Sequence, residues 1–94
     1  MPQVRMTVCW PDASTSHHVS PSTIISKYFE PEDELPIADF VAQSEKAFEH
    51  ASQRVKERFG FFCSQASDSL TEIQQTAQKQ SEGMVRVIKL EVMS

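Results

Sequence analysis

The sequence is poor in glycine, in cysteine and in clustered basic residues, and each shortage excludes a class of function. It contains only two glycines, Gly60 and Gly83, so a glycine-rich loop that cradles phosphates is excluded. Its two cysteines, Cys9 and Cys63, lie far apart with no CxxC pair and no spaced set of metal ligands, which favours free thiols and predicts neither metal nor cofactor. Nine basic residues, scattered among thirteen acidic ones, disfavour binding to nucleic acid.

The sequence also lacks long apolar runs. No stretch approaches the length of a membrane span, and the first residues do not show the charged-then-apolar layout of a signal peptide. We therefore expect a cytoplasmic protein that does not associate with a membrane. With 94 residues, of which 39% are apolar, the chain has room for a single domain over residues 1–94 with one hydrophobic core.

The first twenty residues predict a β-hairpin. Apolar and polar side chains alternate strictly from Gln3 to Trp10, which is typical of a strand with one buried face. Pro11 and Asp12 then supply turn chemistry, and a second strand from Thr15 to Val19 completes the hairpin.

The last ten residues predict another strand, from Met84 to Met93, because they are rich in β-branched side chains. The side chains expected on its buried face are Ile88, Leu90 and Val92. Val85 and Val87 fall out of phase with that set. This mismatch indicates either a bulge near Arg86 or a second apolar patch used in self-association.

The middle of the chain predicts three helices. A short helix is expected between Ser20 and Glu30, beginning at a serine–proline start signal. Apolar residues at three- and four-residue intervals predict a long helix from Ile37 to Phe59, capped by Gly60. A third helix is expected to begin at Ser64 or Ser67 and to run to about Ser81.

The resulting β-β-α-α-α-β order predicts an α+β fold with two layers. The economical arrangement is a three-stranded, mostly antiparallel sheet covered on one face by two long helices. The opposite sheet face would stay open to water or to a partner. It carries Arg5, Thr7, Cys9, Lys89 and Glu91.

Cys63 is the one candidate nucleophile. It precedes the third helix, where unpaired N–H groups and the helix dipole stabilise a thiolate, and Arg54 and Arg58 could add positive charge. The plain alternative is a buried structural thiol, because phenylalanines surround it in sequence and unpaired cysteines are commonly buried.

Trp10, His17 and His18 are the other candidates. The two histidines are adjacent on a predicted strand, so they point to opposite faces and cannot grip one metal ion. One of them could act as the base for Cys63, although surface histidines are the simpler interpretation. Trp10 is expected to anchor the hairpin to the helices. We count Trp10 and His18, with the two arginines, as candidate binding residues.

Five short motifs occur in an order that resembles one family of small bacterial proteins. They are Trp10-Pro11-Asp12, Ser20-Pro21-Ser22, Ala38-Asp39-Phe40, Ala51-Ser52 with Arg54-Val55, and Gly60-Phe61 with Cys63-Ser64 and Ala66. This order is similar to that of the nitrogen-starvation-response proteins encoded in a conserved bacterial nitrilase gene cluster. Ala13 stands where that family usually has glycine, and Phe59 where it usually has tyrosine.

The resemblance implies a role in nitrogen limitation beside enzymes of the nitrilase cluster, and it implies no established activity. We expect a small accessory protein, a homodimer, that binds a partner enzyme of that cluster or a pathway intermediate. An enzyme is less expected, because one thin two-layer domain encloses little pocket volume. The alternative is a thiol-dependent enzyme or carrier that uses Cys63 as nucleophile.

Overall fold

The computed structural model describes residues 2–61 and 64–93. These residues form an α+β fold, as predicted. The elements in chain order are β1 (Gln3–Cys9), β2 (Thr15–Ser20), a 3₁₀ helix (Thr23–Lys27), β3 (Glu34–Pro36), α1 (Ile37–Phe59), α2 (Ser64–Gln78) and β4 (Met84–Met93).

The sheet has four strands, so the prediction of three was wrong. Its order is β2-β1-β4-β3, and every neighbouring pair is antiparallel. The predicted hairpin and the return of the last strand beside the first are both confirmed. The missed strand, β3, has three residues and lies in an acidic segment between Pro31 and Pro36, where composition indicates a loop.

The element order also differs from the predicted one, because the first predicted helix is a five-residue 3₁₀ helix. The Ser22 side chain accepts a hydrogen bond from the Ile24 N–H and caps its start. Proline on both sides leaves too few residues to propagate an α-helix, so the segment stays in the tighter 3₁₀ form.

The bounds of α1 are those predicted, and Gly60 caps it. Gly60 adopts a left-handed backbone with φ of 82°, and its N–H donates to the Lys56 carbonyl. The second α-helix begins at Ser64 but ends at Gln78, three residues before the predicted end, because the chain tightens there into i to i+3 turns.

The core lies between one face of the sheet and the two α-helices. Trp10 packs edge-on against Phe40 with ring centroids 5.5 Å apart, and Phe29 lies 5.4 Å from the same ring. The buried side chains of this core are Val4, Met6, Val8, Trp10, Ile25, Phe29, Phe40, Ala47, Phe48, Ala66, Ile73, Val85 and Val87.

A β-bulge sets which residues of β4 enter this core. The register with β1 shifts between Thr7 and Val8, so Ile88 is the extra residue, two positions beyond the predicted site near Arg86. Val85 and Val87 are consequently fully buried. The predicted inward face is wrong at Val92, which is 65% exposed, because β3 covers the outer side of β4 only at residues 84–86.

The opposite sheet face is partly closed by its own polar contacts. Arg5 and Lys89 both pair with Glu91, at 3.0 Å and 2.8 Å. Thr7 is buried there and its hydroxyl lies 2.9 Å from Nδ1 of His17. The face predicted to be open therefore carries an ion-pair cluster and one buried threonine.

Candidate functional site

Arg54 and Arg58 line a groove of about 430 Å³ at the end of α1. They lie four residues apart, so a single face of the helix presents both guanidinium groups. The 3₁₀ helix forms the other wall. The residues that line this feature, which we call the basic groove, are Ser22, Thr23, Ile24, Lys27, Arg54, Glu57 and Arg58.

The basic groove is strongly cationic in an acidic protein. Three cations, Lys27, Arg54 and Arg58, face one carboxylate, Glu57, whereas the whole chain has a formal charge of −4. All three cationic side chains are exposed. No acidic group among the described residues lies within ion-pairing distance of any of them. The groove therefore presents positive charge that the described part of the fold does not neutralise.

Folding of the local chain explains why the groove keeps its shape. Ile24 is buried and anchors the 3₁₀ helix, while the Ser22 cap fixes its start. Tyr28 closes the helix from the other end, and its hydroxyl lies 2.9 Å from Nδ1 of His50 on α1. These contacts hold Lys27 opposite the two arginines.

An aromatic pair adjoins one end of the basic groove. Phe59 and Phe61 are 50% and 65% exposed, and their ring centroids are 6.3 Å apart. The guanidinium carbon of Arg58 lies 6.0 Å from the Phe59 ring centroid, within range of a cation–π contact. Apolar surface and positive charge thus occur side by side.

Trp10 and His18 do not line the basic groove. They belong to a buried polar chain that runs from Trp10 through Ser16 to His18. The indole Nε1–H of Trp10 donates to Oγ of Ser16 at 2.8 Å, and the same oxygen lies 2.7 Å from Nε2 of His18. Only 2% of Trp10 and 2% of His18 are exposed, so both side chains are part of the core.

The His18 imidazole is neutral at physiological pH in this buried position. Burial, with a smaller contribution from the neighbouring His17, lowers the pKa of His18 from its ordinary value of 6.5 to about 4. Its Nδ1 is buried without a hydrogen-bond partner among the described residues and lies 3.8 Å from a carboxylate oxygen of Glu72. At neutral pH the imidazole can accept the Ser16 hydroxyl proton in a hydrogen bond.

The two histidines lie on opposite faces of β2, as predicted. His17 is exposed on the outer face and contacts Thr7, while His18 faces α2. The interpretation of both as surface histidines was therefore wrong for His18. Cys63 lies outside the described residues, and its role as nucleophile or buried thiol stays a prediction.

Two features of these sites were missed by sequence reasoning. Lys27 joins Arg54 across 27 residues of sequence, and no local pattern reports that proximity. Ser16 links Trp10 to His18, and the only local signal for this contact is that Ser16 and His18, two residues apart, lie on the same face of β2.

Neither a metal-binding cluster nor a membrane-spanning helix is found in residues 2–61 and 64–93. No three side chains of histidine, cysteine, aspartate or glutamate are grouped so that they could hold a metal ion. No helix in the same ranges is long and apolar enough to cross a membrane.

Fold and groove together define a small two-layer α+β protein with a cationic surface site. The family to which it belongs is shown by sequence. Residues 5–91 match the profile described as nitrogen starvation-induced protein NitG, and the chain is a member of that family. Comparison with curated proteins and with solved structures finds no match.

Proposed function

We propose that this NitG-family chain is a small cytoplasmic accessory protein of the nitrogen-starvation response that binds an anionic pathway intermediate in the basic groove. The observation that carries the proposal is the convergence of Lys27, Arg54 and Arg58 on one groove without an ion-pair partner among the described residues. Cations placed in this way favour an anion from solution.

The chemistry of the groove favours a carboxylate or phosphate group. A guanidinium group offers parallel N–H donors that match two oxygens of such an anion, and an ammonium group adds a compact charge. The Thr23 hydroxyl on the opposite wall supplies a further donor. A groove of about 430 Å³ lies within the size range of sites for small molecules.

Binding fits this site better than catalysis does. The titratable groups that line the groove are Lys27, Arg54, Glu57 and Arg58, all of them exposed. A general base or nucleophile normally works in a pocket that excludes water, whereas these four side chains are exposed to solvent. The groove therefore offers recognition without an evident reacting group.

Calorimetry with defined anions tests the proposal. Phosphate, citrate and glutamate serve as probes in buffer of low ionic strength, against the wild type and the Arg54→Ala and Arg58→Ala variants. We expect saturable binding of at least one probe by the wild type, and a loss of about tenfold or more for each arginine removed, because charge-assisted hydrogen bonds contribute roughly 1.5–3 kcal/mol.

Lys46→Ala is the matched control, since Lys46 is an exposed cation on α1 that does not line the groove. Its affinity should equal that of the wild type. Saturable binding that is unchanged in both arginine variants would mean that the anion binds outside the basic groove, which contradicts the proposal. If neither the probes nor the metabolites of nitrogen-starved cells bind, the proposal is rejected.

A second candidate, the docking of a partner enzyme, is favoured by the exposed Phe59 and Phe61 beside Arg58. Aromatic residues and arginine are the types enriched at protein interfaces. Purification from nitrogen-starved cells of the wild type and of a Phe59→Ser, Phe61→Ser variant tests this role. A cluster enzyme that is retained by the wild type and lost by the variant would support it, and equal retention would contradict it.

The thiol-dependent alternative rests on Cys63 alone and is tested separately. Rapid reaction of the native protein with iodoacetamide at pH 6, relative to a model thiol, would support a nucleophilic cysteine. Reaction only after unfolding would identify a buried structural thiol.

A further inference from the structure

The outer backbone groups at the two edges of the sheet have different hydrogen-bond partners. At the end of the β2 edge, the Ser69 hydroxyl of α2 donates to the Val19 carbonyl at 2.7 Å. On the other edge, β3 pairs only with residues 84–86 of β4, and the preceding loop adds two hydrogen bonds to Val87. From Ile88 onward, the outer side of β4 has no backbone partner among the described residues.

The pairing pattern shows which groups this free edge presents. The Val19 carbonyl points away from β1, toward Ser69. Val19 lies opposite Arg5, so these two residues do not share backbone hydrogen bonds, and the N–H and C=O of Arg5 point toward β4 instead. There they face Glu91, whose own backbone groups therefore point toward β1. Backbone groups alternate in direction along a strand. The N–H and C=O groups of Leu90 and Val92 therefore point away from β1 and are available to another strand.

We propose that a second copy of this chain pairs with this edge, strand β4 against strand β4, antiparallel about a two-fold axis at Leu90. Strand addition of this kind satisfies the unpaired backbone groups of both copies and joins two four-stranded sheets into one. Because each copy uses the same patch, the contact closes as a dimer. The proposal is independent of the basic groove, which lies on other elements.

Charge selects this register over its neighbour. Pairing Leu90 with Leu90 of the second copy brings Lys89 opposite Glu91 of the second copy, and the reverse pair forms by symmetry. The next register that also aligns the outward-pointing backbone groups of the two strands has its two-fold axis at Glu91. That register places Glu91 directly opposite Glu91 of the second copy. Opposite charges across a strand pair stabilise it and like charges destabilise it, so the register at Leu90 is favoured.

Apolar exposure points to the same edge. Val92 is 65% exposed, and in the register at Leu90 it lies opposite Ile88 of the second copy, which is half-buried. Pairing reduces the exposure of both side chains. Strand β3 and the loop before it occupy this edge only as far as Val87, so the backbone from Ile88 to Val92 is left for a pairing strand among the described residues.

Light scattering after size exclusion and sedimentation velocity test the proposal on the full chain. We expect the wild type to be a dimer at micromolar concentration. Val92→Pro removes one outward N–H donor without touching the ladder to β1, and it should shift the protein to monomer. Val92→Thr keeps the donor and the β-branched shape, and it should remain a dimer. Circular dichroism reports whether each variant is folded.

A charge exchange tests the register itself. Lys89→Glu and Glu91→Lys each place like charges opposite one another, so each variant alone should dissociate at least tenfold more readily than the wild type. An equimolar mixture of the two should form heterodimers, because opposite charges then face each other at every pair. Lys46→Glu, with the same charge change on α1, should leave the dimer intact.

A monomeric wild type at millimolar concentration would overturn the proposal. So would a dimer that is insensitive to both Val92→Pro and Lys89→Glu. If the single charge variants dissociate but their mixture does not associate, edge pairing with the register at Leu90 is excluded.

Discussion

The four predicted binding residues fall into two regions, Arg54 and Arg58 in the basic groove and Trp10 and His18 in the buried hydrogen-bonded arrangement with Ser16. The two regions differ in whether these polar groups are buried and paired or exposed to water. In the Trp10–Ser16–His18 arrangement, the Trp10 and His18 side chains are buried and each hydrogen-bonds the half-buried Ser16 hydroxyl. In the groove, Arg54 and Arg58 remain in water without a carboxylate partner among the described residues.

This difference separates residues that stabilise the fold from residues that can bind. A buried polar group costs free energy unless it is paired, so the Trp10–Ser16–His18 arrangement specifies how the hairpin sits against the helices. An exposed cation costs little when unpaired and gains energy when an anion arrives. Substitutions should therefore move stability in one region and affinity in the other.

Removal of the Trp10 side chain should produce the largest change in stability. We expect Trp10→Ala to lower the free energy of unfolding by about 3–5 kcal/mol, because it opens a cavity against Phe40 and leaves Ser16 without its donor. Urea unfolding followed by circular dichroism measures the effect. Trp10→Phe, which keeps most of the ring and removes the donor, should lose markedly less, and equal losses would refute the packing role.

Acidification should destabilise the protein through His18. The folded-state pKa is about 4, whereas the unfolded chain has the ordinary value of 6.5, so the unfolded chain binds a proton first as pH falls. The stability held above pH 6.5 should decline between pH 6.5 and 4, by up to about 3 kcal/mol, and level off below that range.

Urea unfolding at a series of pH values measures this decline. His18→Asn, whose side chain does not titrate, should show a flatter profile across the same window at lower overall stability. A wild-type profile that is unchanged from pH 7 to 4.5 would mean that His18 is not held neutral in the fold.

The turn that follows Trp10 offers a smaller, stabilising change. Ala13 has a φ of 71°, in the left-handed region that disfavours a side chain. Ala13→Gly should raise the free energy of unfolding by about 0.5–1 kcal/mol by relieving this strain. Ala42→Gly, on the exposed side of α1, is the matched control and should lower stability by about the same amount. Equal signs for the two substitutions would contradict the assignment of strain.

Removal of a groove arginine should have the smallest effect on stability. Arg54 is exposed and makes no ion pair with a described residue, so Arg54→Ala should alter the free energy of unfolding by less than about 0.5 kcal/mol. The same urea experiment measures it. A loss of 2 kcal/mol or more would show that the arginine stabilises the fold.

Sequence reasoning recovered those parts of the fold that depend on local periodicity. The helix from Ile37 to Phe59 was predicted at both ends, because its apolar spacing is long and Gly60 stops it. The strand from Met84 was also predicted, yet its bulge was misplaced by two residues. A bulge depends on the register with β1, which is a long-range property that the strand's own sequence does not contain.

The parts that failed depend on neighbours distant in sequence. Strand β3 forms because the loop before α1 meets β4, despite a composition typical of a loop. His18 has the same residue type as His17, and only the packing of α2 against β2 makes one buried and the other exposed. Lys27 enters the basic groove for the same reason.

The most direct test of the groove is nuclear magnetic resonance of the arginine Nε–H groups during titration with citrate or phosphate. Anion binding in the groove predicts saturable shifts of the Arg54 and Arg58 resonances with one shared dissociation constant, while Arg5 and Arg86 stay unchanged. Uniform, non-saturating shifts of all four arginines would show nonspecific screening and would contradict the account.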